Sequence, residues 1–152
     1  MPHLHWVCTG MIDLREDDPL AELEICEMCG KEGIRYVHVM EHPQYPQLVQ
    51  AGRVCAENME NDYNAPGKRE RDLLNRYNRK MTFLKKEWQH RQNGNYVLKF
   101  KGKYLTIMPS TYNKNNFGVI YDGQSIWNYK GRKISDIWTA KIAAFDIFDE
   151  LR

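Results

Sequence analysis

The chain has four cysteines, Cys8, Cys26, Cys29 and Cys55, and the run Cys26-Glu-Met-Cys29-Gly30-Lys31 constrains its fold more than any other segment. A Cys-x2-Cys pair followed by glycine is the spacing of a metal knuckle, a tight turn that aims two thiolates at one point. A disulfide framework is the competing reading, but it belongs to small exported proteins. The opening Met-Pro-His-Leu-His-Trp has neither the basic nor the apolar region of an export signal. No apolar run approaches the roughly 18 residues of a membrane span. The expectation is a soluble, cytoplasmic protein with reduced thiols and no membrane association.

The residues after the knuckle support a metal site. Ile34-Arg-Tyr-Val-His-Val-Met40 is rich in β-branched and aromatic residues and predicts a strand. His42-Pro43 through Pro46 predicts a turn, Leu48-Val49-Gln50 a returning strand, and Cys55-Ala-Glu-Asn-Met59 the start of a short helix after Gly52. Knuckle, hairpin and helix in that order are treble-clef-like, and they place Cys26, Cys29 and Cys55 as three ligands of a structural zinc ion. A structural zinc site takes four protein ligands, so a histidine is expected to complete it. His42 has finger-like linear spacing from Cys29. A hairpin turning between Pro43 and Pro46 instead sets His38 across from Ala51, nearer Cys55, and His38 is preferred with His42 as the alternative. Cys8 reads as a core thiol, and His3 and His5 as exposed terminal residues.

Hydrophobic residues make up 42% and charged residues 28% of the 152, which excludes a disordered or fibrous chain. The net charge of +2 conceals an uneven distribution. Residues 1–63 carry four basic against twelve acidic side chains, a net of −8, and the remainder carries eighteen against eight, a net of +10. Such asymmetry points to a polyanionic partner for the basic part, or to mutual attraction of the two parts.

Three segments follow from this patterning: an acidic zinc-binding module over 1–63, a basic connecting helix over 64–92, and a small antiparallel sheet with a final helix over 93–152. In the middle segment Pro66 suits a first helical turn, and Leu73, Leu74, Tyr77, Met81 and Leu84 recur at helical spacing. Nine basic residues there face three acidic ones between Lys68 and Arg91. In the last segment, Tyr96–Phe100 and Tyr104–Met108 predict strands about a Lys101-Gly102-Lys103 turn. Phe117–Tyr121 and Ser125–Tyr129 flank Asp122-Gly123, a strong hairpin signal. Ser135 is expected to cap a helix whose apolar face comprises Ile137, Ala140, Ala144, Phe148 and Leu151, supported by Trp138 and Phe145. The fold class is α+β.

The segment from Cys26 to Pro43, with Gly52-Arg-Val-Cys-Ala-Glu-Asn-Met59, resembles a group of poorly characterised bacterial and phage proteins with a zinc-binding N-terminal module. Their common pattern is CxxCG, a His, a His-Pro, then a Gly and Cys-Ala. Trp88, Gly94-Asn95, the meander and the last helix extend the resemblance over most of the chain. It implies a fold and a metal rather than an activity. Members carry a further Cys or His near the positions of Arg53 and Asn58, which this sequence lacks. The knuckle and His38 also resemble, more faintly, the treble clef of HNH nucleases, which would imply catalytic roles for His38, His42 and Asn58. The acidic surround of the module opposes DNA there.

Nothing else in the chain calls for catalysis: no phosphate loop, nucleophile elbow, dinucleotide fingerprint or paired-His metalloprotease motif occurs, and no small-molecule substrate is evident. The expected role is non-enzymatic binding of nucleic acid through the basic helix and sheet, by Arg69, Arg76, Arg79, Lys80, Lys101, Lys103, Lys130 and Arg132. Lysine and arginine would neutralise phosphates and interleaved aromatics would stack on bases. The alternative is a protein-interaction module in which zinc is a structural staple.

Overall fold

The β-branched run after the knuckle forms the middle strand of a three-stranded antiparallel sheet, built from β1 (Val7–Asp13), β2 (Tyr36–His42) and β3 (Tyr45–Ala51) in the order β1-β2-β3. The computed structural model describes residues 2–150. Among the described residues it is a mixed α/β chain with three helices, grouped into two compact units, Met1–Asn78 and Arg79–Arg152.

In the first unit the β2–β3 register is the one the turn residues imply, with His42 opposite Tyr45 and His38 opposite Ala51. The chain then bends at Gly52 into α1 (Arg53–Glu60), which buries Ala56 and Met59, one turn apart, against Trp6, Met40, Val49 and Ala51. β1 was not evident in the sequence. Its exposed and buried positions do not alternate, and a bulge lies between Cys8 and Gly10, so it lacks the period-two pattern of an autonomous strand. The β2 edge and a paired charge hold it in place. At its end the Asp13 carboxylate, only 2% exposed, accepts bonds from Arg35 Nε (2.8 Å) and Nη2 (3.1 Å). Arg35 also lies over the rings of Tyr36 and Tyr77. Removing Arg35 would leave the buried Asp13 carboxylate without its cation, at a cost on the order of 1–3 kcal/mol.

α2 (Ala65–Leu84) begins where expected, with Pro66 in its first turn and the Asp62 carboxylate accepting the N–H groups of Asn64 and Ala65. Those two bonds hold the Asp62 carboxyl below its ordinary range. The helix stops well short of Gln92. Three-residue bonds from Lys85 to Thr82 and from Lys86 to Phe83 tighten its end, and the chain turns out to pair as β4 (Gln89–His90) along β5. Leu74 is 40% exposed, whereas Phe83, outside the expected apolar stripe, is buried.

In the second unit β4, β5 (Tyr96–Phe100), β6 (Lys103–Pro109), β7 (Phe117–Tyr121) and β8 (Gln124–Ile126) form a sequential antiparallel meander. Asp122 and Gly123 both have positive φ, +50° and +76°, as a two-residue hairpin of this handedness requires. Lys101-Gly102 and Lys130-Gly131 make the same kind of turn. The expected strand over Ser125–Tyr129 is broken at Trp127, and the chain re-pairs as a separate ribbon of β9 (Asn128–Tyr129) and β10 (Arg132–Lys133). The break seats the Trp127 ring on the Cα of Gly118.

α3 (Ile137–Glu150) covers β6 and β7. Ala140, Ala143 and Ala144 are fully buried and let the helix approach Leu105, Ile107 and Val119 closely. Its cap is Asp136, not Ser135: Asp136 Oδ1 accepts the Thr139 N–H and Oδ2 its hydroxyl. Trp138 is 56% exposed and takes no part in the apolar face; Leu151 lies outside the described residues.

A Cβ at position 118 would sit 2.8 Å from three ring atoms of Trp127, and a fused aromatic ring cannot yield by bending. Gly118→Ala is expected to destabilise the second unit by roughly 1–3 kcal/mol. Gly10→Ala, with open space around its Cβ, should stay within about 0.5 kcal/mol of the parent; urea unfolding of both variants measures the contrast.

Candidate metal centre

The knuckle is a closed loop of backbone bonds. Glu24 and Ile34 bridge its two ends, the Cys26 N–H reaches the Lys31 carbonyl at 2.9 Å, and the Gly30 N–H reaches the Cys26 carbonyl at 2.8 Å. It rests on the end of β3 through two further bonds, Glu27 N–H to the Gln50 carbonyl (2.9 Å) and Gly52 N–H to Cys26 Sγ (3.4 Å). Because α1 starts directly after Gly52, this docking delivers Cys55 to the knuckle. The sulfurs of Cys26, Cys29 and Cys55 all lie within 4.8 Å of one another. Zinc–sulfur bonds of about 2.3 Å in a tetrahedron separate sulfurs by about 3.8 Å, so an ion would require them to close by about an ångström at most.

The thiols perturb one another. Burial opposes ionisation of Cys26, but N–H donors from Gly52, Cys29 and Met28 and a bond from Cys29 outweigh it and hold this thiol below its ordinary value. Cys55 moves the other way. Burial pushes it up to about 12, reinforced by its bonds to Cys29 and Cys26 and by their negative charge. One sulfur is thus prepared for ionisation by backbone donors while its neighbour resists it, and a cation at the centre would relieve that resistance. The three cysteines form a cluster able to hold a metal ion.

Neither expected histidine joins it. His38 is opposite Ala51 as anticipated, yet its ring is fully buried and engaged at both nitrogens, with Nε2 2.7 Å from Glu70 Oε2 and Nδ1 3.2 Å from Arg69 Nη2. Arginine only donates, so Nδ1 accepts and Nε2–H donates to Glu70. His42 packs beside Trp6, with ring centroids 5.2 Å apart, and its Nδ1 accepts the Gln44 N–H across the hairpin turn. Both histidines serve the first unit's packing. Among the described residues the metal-ligating group therefore has three members. Cys8 lies apart from it, half-buried, with its sulfur donating to the Gly10 carbonyl.

Four of the eight residues expected to meet nucleic acid are partly or wholly withdrawn from solvent. Arg69 forms a two-pronged pair with Glu60 (2.9 and 2.5 Å), Arg76 pairs with Glu16, and Arg79 pairs with Asp149 (3.1 and 3.3 Å). Lys80 is only 2% exposed. Lys101, Lys103, Lys130 and Arg132 are exposed, at the β5–β6 and β9–β10 turns. The sequence reading missed Glu70, which lines the cleft beside the cysteines; its partner His38 is 32 positions away and no local pattern links them. No helix among the described residues is long and apolar enough to cross a membrane. Comparison of the chain with protein-family models, curated protein sequences and solved structures finds no match in any of the three.

Metal content separates the cysteines. Cys55→Ser should lose most of the metal that the parent retains through gel filtration, whereas Cys8→Ser should retain it. The pH dependence has two signs. In the metal-free protein the folded state keeps the Cys55 proton from the ordinary 9.0 up to about 12, so stability present below pH 9 should decline as pH rises through that window. Metal binding must displace that proton, so apparent affinity should rise with pH over the neutral range, about tenfold per unit for each proton displaced.

Proposed function

We propose that this chain is a non-enzymatic zinc-binding protein: a treble-clef-like first unit held by a structural zinc ion, and a second unit that binds nucleic acid through its lysine-bearing hairpins. The observation that carries the zinc reading is the convergence of three cysteine sulfurs on a knuckle whose backbone donates to one of them. An all-sulfur donor set favours zinc over calcium or magnesium, which prefer oxygen. The knuckle, hairpin and helix order supports the treble-clef comparison.

The nucleic-acid reading rests on a narrower surface than the whole basic segment. Arg69, Arg76 and Arg79 have carboxylate partners in their own units, and of the eight residues expected to meet nucleic acid the exposed ones are those at the turns. Lys101 and Lys103 are exposed with Tyr104, itself 59% exposed and beneath the Lys99 ammonium at 5.6 Å. Lys130, Arg132 and Lys133 are exposed on the second ribbon. Cations beside an accessible ring are the arrangement that meets phosphate and base together. A protein partner is the second reading, favoured by Leu20, Ile25, Leu48 and Val54, each more than half exposed in the first unit. The nuclease comparison gains no support, because His38 is fully buried with both nitrogens engaged.

A salt titration with short single-stranded DNA and RNA tests the nucleic-acid reading. Affinity should fall steeply with salt, with a slope of about −0.7 per phosphate neutralised. Charge reversal at Lys101 and Lys103 should abolish most of the binding, whereas Arg71→Glu on α2 should leave it within about twofold. No binding to either polymer at low salt would put the protein-partner reading ahead.

A further inference from the structure

The three sulfurs border a cleft of about 660 Å³ in the first unit, lined also by Lys31, Arg53 and Asn58. That volume lies within the roughly 300–1,000 Å³ of small-molecule sites. Cys55 and Asn58 are one turn apart on α1 and line the same cleft, so position 58 is where a fourth side-chain donor from this helix would stand. Asparagine offers no imidazole or thiolate, and its Oδ1 accepts the Tyr63 hydroxyl at 3.1 Å. Among the described residues, the ligating group stops at three. Three protein ligands with the remaining coordination position facing a cleft is the arrangement in which zinc takes an external ligand.

We infer that the metal centre has its fourth position open to this cleft and takes there a small thiol bearing a carboxylate. The inference rests on the metal reading above and adds the ligand class. The metal selects the sulfur, because a centre already holding three thiolates is soft. The rim selects the charge. Lys31 is exposed at the cleft, and Arg53, more than half exposed, has only a 3.5 Å contact with Glu57, whereas Arg35 is bound by Asp13 and Glu70 by His38. On binding, the ligand thiol releases its proton to solvent, its sulfur coordinates the metal, and its carboxylate faces the two cations. No electron transfer or bond cleavage is involved.

The test uses the full chain loaded with cobalt, whose visible bands report the donor set, with mercaptoacetate as the probe. Saturable change in the bands, with cobalt still bound after gel filtration, is the expected result. 2-Mercaptoethanol, which lacks the carboxylate, should bind about tenfold more weakly, the scale of one charge-assisted contact, and Arg53→Gln should weaken mercaptoacetate by a similar factor without altering cobalt uptake. Asn58→His should bind cobalt with bands insensitive to mercaptoacetate, because the side chain fills the position. Bands unmoved by mercaptoacetate in the parent, equal binding of the two thiols, or extraction of the cobalt would each overturn the inference while leaving the metal reading standing. Failure of the parent to take up cobalt or zinc would overturn both.

Discussion

The first unit depends on the seating of the knuckle against the end of β3. Two bonds make it, from Glu27 N–H to the Gln50 carbonyl and from Gly52 N–H to Cys26 Sγ. The second is buried, where an unmet donor costs about 1–3 kcal/mol, which favours this seating of the knuckle over others. Because α1 begins at Arg53, the same contact sets where Cys55 falls. The β2–β3 register, the entry to α1 and the distance between sulfurs are therefore a single constraint, and a slip of one residue in the hairpin would turn the inward side chains to the other face.

Charge is distributed by the same economy of contacts. The sequence is a strong dipole, yet the carboxylates that could have repelled a polyanion are partly matched inside the fold. Glu60 holds Arg69, Glu16 holds Arg76, and Asp13 holds Arg35. The Arg69 guanidinium and the Glu70 carboxylate then clamp the buried imidazole of His38 from its two sides. A helix that reads as a basic surface thus contributes to the electrostatic interior of the first unit, while the basic residues at the tight turns are exposed. The lysines of the two glycine-containing turns are exposed, with Lys101 over the Phe100 and Phe148 rings and Lys130 over Tyr129.

Much of the fold was legible locally. Asp122-Gly123 specified its hairpin because both residues tolerate positive φ, and Pro66 marked the start of α2. The misreadings share a cause. β1 and β4 exist because a neighbouring strand offers an edge, Trp127 leaves its strand because Gly118 makes room for its ring, and Trp138 faces outward while Ala140, Ala143, Ala144 and Phe145 fill the face of α3 that meets the sheet. The partner of β1 lies outside the window over which periodicity is read, and the nearer partners of β4 and Trp127 act through strand pairing and ring packing, which periodicity does not report.

The amino-acid sequence by itself determined the knuckle and the order of strand, turn and helix around it, because each rests on residues a few positions apart, and that order in turn brought Cys55 to Cys26 and Cys29. Only the tertiary structure decided the fate of the histidines and arginines. His38 was correctly placed opposite Ala51 and still did not become a ligand, since Glu70 and Arg69, 32 and 31 positions away, engage its nitrogens. Spacing can bring a side chain to a site, but which atoms it bonds is settled by every group that folding brings within reach, and those groups come from the whole chain.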